Sequence, residues 1–181
     1  MHGCFRTLAR MLKRVVALSL LALLAGVACR PSASAPPFAA PAEEAGRPQP
    51  KLPTLKLWLG PHELVGELAT TGQQQQMGMM WRTNMAEMEA MLFVFGAPHR
   101  AGFWMKNTLL PLSCAYIDPE GVILEIRDMK PRDETSLTAA TDRVQYVLEV
   151  NQGWFTRNKV GVGTVLRTER GSLRESFFGR R

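Results

Sequence analysis

The tetrad Asp118-Pro119-Glu120-Gly121 constrains the fold of this chain more than any other stretch. Asp opens a tight turn by bonding its own backbone, Pro pre-sets φ at the next position, and Gly supplies the conformation that closes it. Apolar runs flank it on both sides, Leu112–Asp118 before and Val122–Arg127 after. A short turn between two such runs predicts an antiparallel hairpin. Similar punctuation recurs. Gly60-Pro61 separates strand candidates Leu55–Leu59 and Glu63–Thr70, and Met91–Phe95 is a fully apolar strand. Gly102–Asn107, Val144–Val150 and Val162–Arg167 supply further strands. In Val144–Val150 the residues Val144, Tyr146, Leu148 and Val150 alternate with Gln145, Val147 and Glu149, the period of a strand. Gly72–Met80 reads as a short helix or turn, Trp81–Met91 as a helical turn with Thr83 as its N-cap, and Gly153–Lys159 as one helical turn ended by Gly161. The expected class is α+β, mainly β: a small compact antiparallel sheet or barrel-like domain with two short helical segments.

The N-terminus has a different character. Arg6, Arg10, Lys13 and Arg14 precede an uncharged run from Val15 to Ala28. That run is short for a spanning helix, which needs roughly 20 residues, and suits the apolar region of a secretory signal over residues 1–28. Gly26-Val27-Ala28-Cys29 resembles the lipobox of bacterial lipoproteins, in which cleavage precedes the Cys and the Cys is acylated. Ordinary cleavage after Ala28, giving a soluble periplasmic protein, and retention of the run as an uncleaved anchor are the alternatives. Residues 29–50 are rich in Pro and Ala, with Phe38 the one large apolar side chain. Such a segment cannot bury enough surface to offset the entropy of ordering it, and its Pro content makes it a semi-extended spacer. The expected organisation is signal 1–28, lipid-anchored tether 29–50, β-rich domain 51–168 and a basic frayed tail 169–181. The expected location is the periplasmic face of a bacterial membrane, reached through the lipid, or the soluble periplasm.

The formal charge of +6 suggests nucleic acid until it is located. Residues 1–28 carry four basic and no acidic residues, and residues 167–181 carry five Arg against Glu169 and Glu175. Residues 51–166 hold 11 basic and 12 acidic residues, a net of −1. A near-neutral domain lacks the phosphate-neutralising charge that drives nucleic-acid affinity, so no nucleic acid is expected as partner. Cys114 is the one thiol in residues 51–181. It lies in an apolar stretch and reads as buried and inert, with neither a disulfide framework nor a Cys metal cluster.

Several segments carry a resemblance: GMMWR (Gly78–Arg82), MLFVF (Met91–Phe95), FWMKNTLLPL (Phe103–Leu112), YID with Gly121, Pro131, YVLEV (Tyr146–Val150) and GVG (Gly161–Gly163). In order and spacing the chain from about Leu55 to Thr168 resembles the family called domain of unknown function 192. The resemblance implies a small β-rich single domain, often exported, and no assigned activity. The chain departs from the family pattern at Gln75, where Arg is usual, at Ala90, where Gly is usual, and at Ser113, where Asp is usual.

The candidate chemistry centres on Trp104, Lys106 and Asn107. In an extended strand Trp104, Lys106 and Thr108 share one face. An aromatic platform beside an ammonium suits a small anionic or carbonyl-bearing ligand, and Arg82 and Glu149 could join it through space. The structural alternative packs Trp104 in the core and pairs Lys106 with Glu149 or Asp118. Met77, Met79, Met80, Met85, Met88 and Met91 form a second concentration, and thioethers are soft ligands suited to Cu(I) as well as fillers of irregular cores. His62 and His99 stand isolated beside prolines. No His/Cys/Asp/Glu spacing suggests zinc, and no nucleophile has a base near it in sequence. The expectation is a non-catalytic module for a small ligand or an envelope protein, without a cofactor. The alternatives are periplasmic copper handling and an uncharacterised hydrolase or transferase.

Overall fold

The computed structural model describes residues 46–179. The signal segment, Cys29 and the tether as far as Ala45 lie outside the described residues. Ten strands and three short helices follow one another in the order β1 (Thr54–Leu59), β2 (His62–Ala69), α1 (Gly72–Met77), β3 (Glu89–His99), β4 (Gly102–Phe103), β5 (Leu112–Ile117), β6 (Ile123–Met129), β7 (Leu137–Thr138), β8 (Val144–Asn151), α2 (Trp154–Arg157), β9 (Leu166–Thr168), β10 (Gly171–Ser172) and α3 (Leu173–Phe178). The fold is mainly β, as the punctuated apolar runs predict.

Eight strands form one sheet in the order β10-β9-β1-β2-β3-β8-β5-β6, and β4 pairs with β7 separately. All pairings are antiparallel except β2 with β3, which α1 and the residues after it connect. Val122 bridges Val165, so the far end of the sheet curls towards β9. The ladder does not continue along that seam, and the sheet is not closed into a barrel.

The hairpin at Asp118 forms as expected, with β5 pairing β6 from Leu112↔Met129 to Ile117↔Ile123. The Asp118 carboxylate accepts the backbone N–H groups of Glu120 at 3.0 Å and Val122 at 2.8 Å. Gly121 has φ 87°, and a Cβ there would stand 2.8 Å from the Leu166 carbonyl oxygen. Only glycine meets both conditions.

β8 lies between β3 and β5, and every residue from Val144 to Val150 is buried. Tyr146, Leu148 and Val150 belong to one apolar cluster with Leu57, Leu92, Ile117 and Trp154. Val147 belongs to the other, with Met91, Phe93, Cys114 and Tyr116. The sheet therefore separates two cores. Segments 77–81 and 101–110 contribute Met79, Ala101 and Met105 to the second.

Four expectations need correction. Trp81–Met91 holds no helical turn. Trp81 takes φ 64°, which ends any helix, and residues from Glu89 are drawn into β3 by pairing on both sides. Strand character in Gly102–Asn107 stops at Phe103, because the Thr108 N–H bonds back to the Met105 carbonyl and Asn107 adopts φ 54°. There are three short helices rather than two. The third lies in the segment expected to fray: α3 has a complete capping box from Ser172 to Glu175 and buries Leu173 completely.

Candidate functional site

A cavity of about 230 Å³ lies between the second face of the sheet and the segments that cover it. Phe93 and Phe95 of β3 and Glu149 of β8 contribute from the sheet. Residues Gln75–Met80 contribute from α1 and its C-terminal turn, and Gly102–Trp104 with Thr108 complete the lining. At about 30 Å³ per liquid water, such a space suits a ligand of on the order of ten non-hydrogen atoms.

Local sequence fixes each wall. α1 begins with a reciprocal capping box: the Gln74 N–H donates to the Thr71 hydroxyl, and the Gln74 side chain accepts from the Thr71 N–H. Two glutamine side chains tie the helix down. Gln75 donates to the Val94 carbonyl at 2.7 Å, and Gln49 donates to the Gly78 carbonyl at 2.8 Å. Gly78 has φ 44°, and a Cβ there would meet the Phe93 ring at 3.3 Å, so glycine lets the turn lie flat on that ring. On the other side, Phe93 and Phe103 pack edge to face with centroids 4.8 Å apart, and Phe95 meets Phe103 at 6.5 Å. Phe103 also meets Tyr116 at 6.2 Å.

Three non-glycine residues with positive φ cluster beside these walls: Trp81 at 64°, Asn107 at 54° and Arg132 at 61°. Such backbone costs on the order of 1 kcal/mol each and needs surrounding structure to hold it. Here the Trp81 N–H donates to the Asn107 carbonyl at 2.8 Å, and the Arg132 N–H to the Thr108 carbonyl at 3.0 Å. Trp81 and Asn107 adjoin the lining residues Met80 and Thr108, so the strain sits where the cavity wall is shaped.

Glu149 is the chemically distinctive member. It is 4% exposed, and its Oε2 is buried with no hydrogen-bond partner. It pairs in register with Met91 on one side and Cys114 on the other, and neither side chain bonds its Oε2. Burial pushes its pKa up from 4.5 to about 8. Ionisation in an unpaired, desolvated site is costly, so near neutral pH the proton-bearing form predominates. The neighbouring Cys114 is a free buried thiol raised to about 12, first by burial and then by the Glu149 charge. That is the inert state expected of it.

The structure brings some nominated residues together and separates others. Trp104 and Glu149 share the cavity lining. Trp104 is 44% exposed and so is not a core residue. The Lys106 ammonium stands 5.3 Å from the Trp104 ring centroid, a cation–π contact, and pairs with neither Glu149 nor Asp118. Asp118 pairs with Arg143 instead, at 3.3 Å. Asn107 serves through its backbone. Arg82 is elsewhere: its guanidinium grips Glu67 with two bonds of 2.5 and 2.7 Å. Burial would raise the Glu67 pKa, but the bonds from Arg82 and the Leu52 N–H, with the charges of Arg82 and Lys51, outweigh it and hold the carboxyl low. Of the six clustered methionines, Met77, Met79 and Met80 line the cavity, Met91 is buried in the core and Met88 is exposed. Among the described residues no group of three or more His, Cys, Asp or Glu could hold a metal. Sequence reasoning missed the three phenylalanines and Gln75. The signal for Phe93 and Phe95 was present in MLFVF, where alternation puts them on one face.

Ser113, the first residue after the central motif, is structural. Its hydroxyl donates to Asp128 and accepts the Gly153 N–H at 2.9 Å. It anchors the residue before α2 and does not reach the cavity lining.

Comparison with known proteins agrees with the fold. The chain is similar to the crystal structure of a candidate transcription regulator from Sinorhizobium meliloti 1021, with 35% identity, TM-score 0.60, 64% of this chain and 92% of that one covered. It is also similar to a protein of unknown function from Novosphingobium aromaticivorans DSM 12444, with 30% identity, TM-score 0.62, 74% of this chain and 94% of that one covered. No curated protein matches the chain significantly. Residues 59–168 match the profile of DUF192, described as uncharacterized ACR. The match spans more than half of the chain and includes the cavity-bearing strands β3 and β8: this protein belongs to the DUF192 family.

Proposed function

We propose that this chain is a small-ligand-binding module of the cell envelope, tethered by a lipid on Cys29, with the Glu149 cavity as its ligand site. One observation carries the binding reading: a carboxyl on a central strand is buried without a partner and faces a cavity walled by aromatic and thioether side chains. Buried polar groups are ordinarily satisfied, and an exception beside a cavity is explained by a ligand that satisfies it. A non-catalytic role is supported by the neighbours of Glu149. Cys114 is held as a thiol, and Ser113 is occupied by Asp128 and Gly153. The regulator description of one structural neighbour is not carried over, because the net charge of −1 over residues 51–166 gives no footing on DNA. The envelope reading rests on the leader and the Cys29 motif.

Methionine-methyl NMR with a library of small fragments tests the site. Binders are expected to shift the methyl signals of Met77, Met79 and Met80 and to lose affinity when Phe103→Trp narrows the cavity. Fragments that bind without moving those signals would place the site elsewhere.

Copper handling is a second reading, favoured by the three thioethers that share the lining. It predicts Cu(I) binding in competition with a chromophoric chelator, lost on replacing Met77 and Met80 by Leu. Binding no tighter than that of the doubly substituted protein would end it.

A further inference from the structure

We propose that the Glu149 cavity takes a small organic cation, with an alkylated ammonium group seated between the Glu149 carboxylate and the aromatic walls. This rests on the cavity being a ligand site and adds the charge class of the ligand.

Three features converge. Glu149 is the one ionisable residue in the lining, which contains no basic side chain. A ligand carboxylate entering there would meet an acid and no cation to neutralise it. The Glu149 Oε2 also receives nothing from the protein, so a positive charge from outside is what would let it ionise in place. The remaining walls suit such a charge. Phe93, Phe95, Phe103 and Trp104 line the space, and aromatic ring faces attract cations, most strongly once the cation is desolvated. Methionine thioethers add polarisable contacts for alkyl groups.

The surroundings of Glu149 are consistent with this. Across β5 stand the Cys114 thiol and the Tyr116 hydroxyl, the latter donating to the Leu137 carbonyl, and across β3 stands Met91. Glu125 adds negative charge near Cys114 and Tyr116. The opposing group is Lys106, whose ammonium lies over Trp104. It competes with a ligand cation for that indole and repels it, so removing its charge should strengthen binding.

Binding of a permanent cation requires Glu149 to release its proton to solvent. Because the carboxyl of the free protein titrates at about 8, affinity should rise about tenfold per pH unit between pH 6 and 8 and level off above. The probe pair is choline and its uncharged isostere 3,3-dimethylbutan-1-ol, with 3,3-dimethylbutanoate as the anion. Each is titrated calorimetrically into the full chain in nonionic detergent, in buffers of differing ionisation heat to count protons.

At pH 8.5 choline is expected to bind at least about tenfold more tightly than the alcohol, and below pH 8 to release up to one proton. Glu149→Gln should erase both the preference and the pH slope, in a protein whose melting temperature at pH 5 is nearly unchanged. Lys106→Gln should raise choline affinity several-fold at unchanged slope. If the alcohol or the anion binds as well as choline, and Glu149→Gln changes nothing, the cavity is a ligand site and the cation assignment is wrong. If none of the three binds and no cavity methionine signal moves, the ligand-site reading falls with it.

Discussion

Glu149 and Arg82 are both largely buried ionisable groups, and they differ in whether the protein supplies a partner. The folded protein holds the Glu149 proton more tightly than the unfolded chain does, so its contribution to stability is full below about pH 4.5 and is lost as pH rises to about 8. Replacing it with the isosteric amide removes that titration. Glu149→Gln should leave the melting temperature nearly unchanged at pH 5 and raise it by several degrees at pH 9, read by calorimetry. An equal effect at both pH values would show that the carboxyl is not desolvated. Arg82 presents the reverse case. Its side chain and that of Glu67 are 10% and 9% exposed, and its two terminal nitrogens bond both Glu67 carboxylate oxygens while its Nε stays unpartnered. Arg82→Ala leaves a buried carboxylate without its cation and should cost about 3 kcal/mol in urea unfolding. The Glu67 pKa is lowered in the fold, so the support it gives is present above its unfolded value and disappears as pH falls through the folded one. Both residues were recognisable in the sequence as candidates. What was not legible was their partition. Alternation in β8 puts Glu149 on the face of Gln145 and Val147, and the cover that buries this face comes from segments 77–81 and 101–110, distant in the chain. Likewise nothing local links Arg82 to Glu67.

Short-range chemistry explains which elements were readable. The β5–β6 hairpin is written in four consecutive residues, and β1–β2 in Gly60-Pro61, where Gly60 takes φ 59°. α3 was misjudged although its signal is equally local: Ser172 with Glu175 three positions on is a capping-box pattern, followed by apolar Phe177 and Phe178. The basic charge of the tail hid it. Both aromatic side chains reach Tyr146, with centroids 6.1 and 6.3 Å away, and Leu173 joins the first core. Ser172→Ala should therefore cost about 1 kcal/mol, and Leu173→Ala about 2–5 kcal/mol, in equilibrium unfolding. A frayed tail would make both substitutions silent. The Trp81–Met91 segment failed in the opposite direction. Its methionines recur at helical spacing, but tertiary pairing claims Glu89–Val94 for β3, and Asn151 donates its amide to the Met85 and Ala86 carbonyls that a helix would otherwise use.

At the level of the whole chain, a near-neutral domain follows a basic and then apolar N-terminal segment and a Pro/Ala-rich stretch. That distribution, rather than the total of +6, is what the proposed envelope role draws on and what leaves the domain without a footing on nucleic acid. Cys29→Ser should abolish lipid labelling and move the protein from the membrane fraction to the soluble periplasm. Unchanged membrane retention without label would mean an anchor other than a Cys29 lipid. Residues 49–52 meet the cavity side of the domain, where Gln49 caps α1 and Leu52 donates its N–H to Glu67 at 2.8 Å. The site and residues 49–52 are thus parts of one structure. Whether that structure is built around a ligand depends on a single carboxyl, and its titration can be followed directly. With Glu149 assigned, the carbon-13 shift of its side-chain carboxyl between pH 4 and 10 should show a midpoint near 8 in the free protein, moving down when choline is added. A midpoint near 4.5 with no response to the cation would contradict the account.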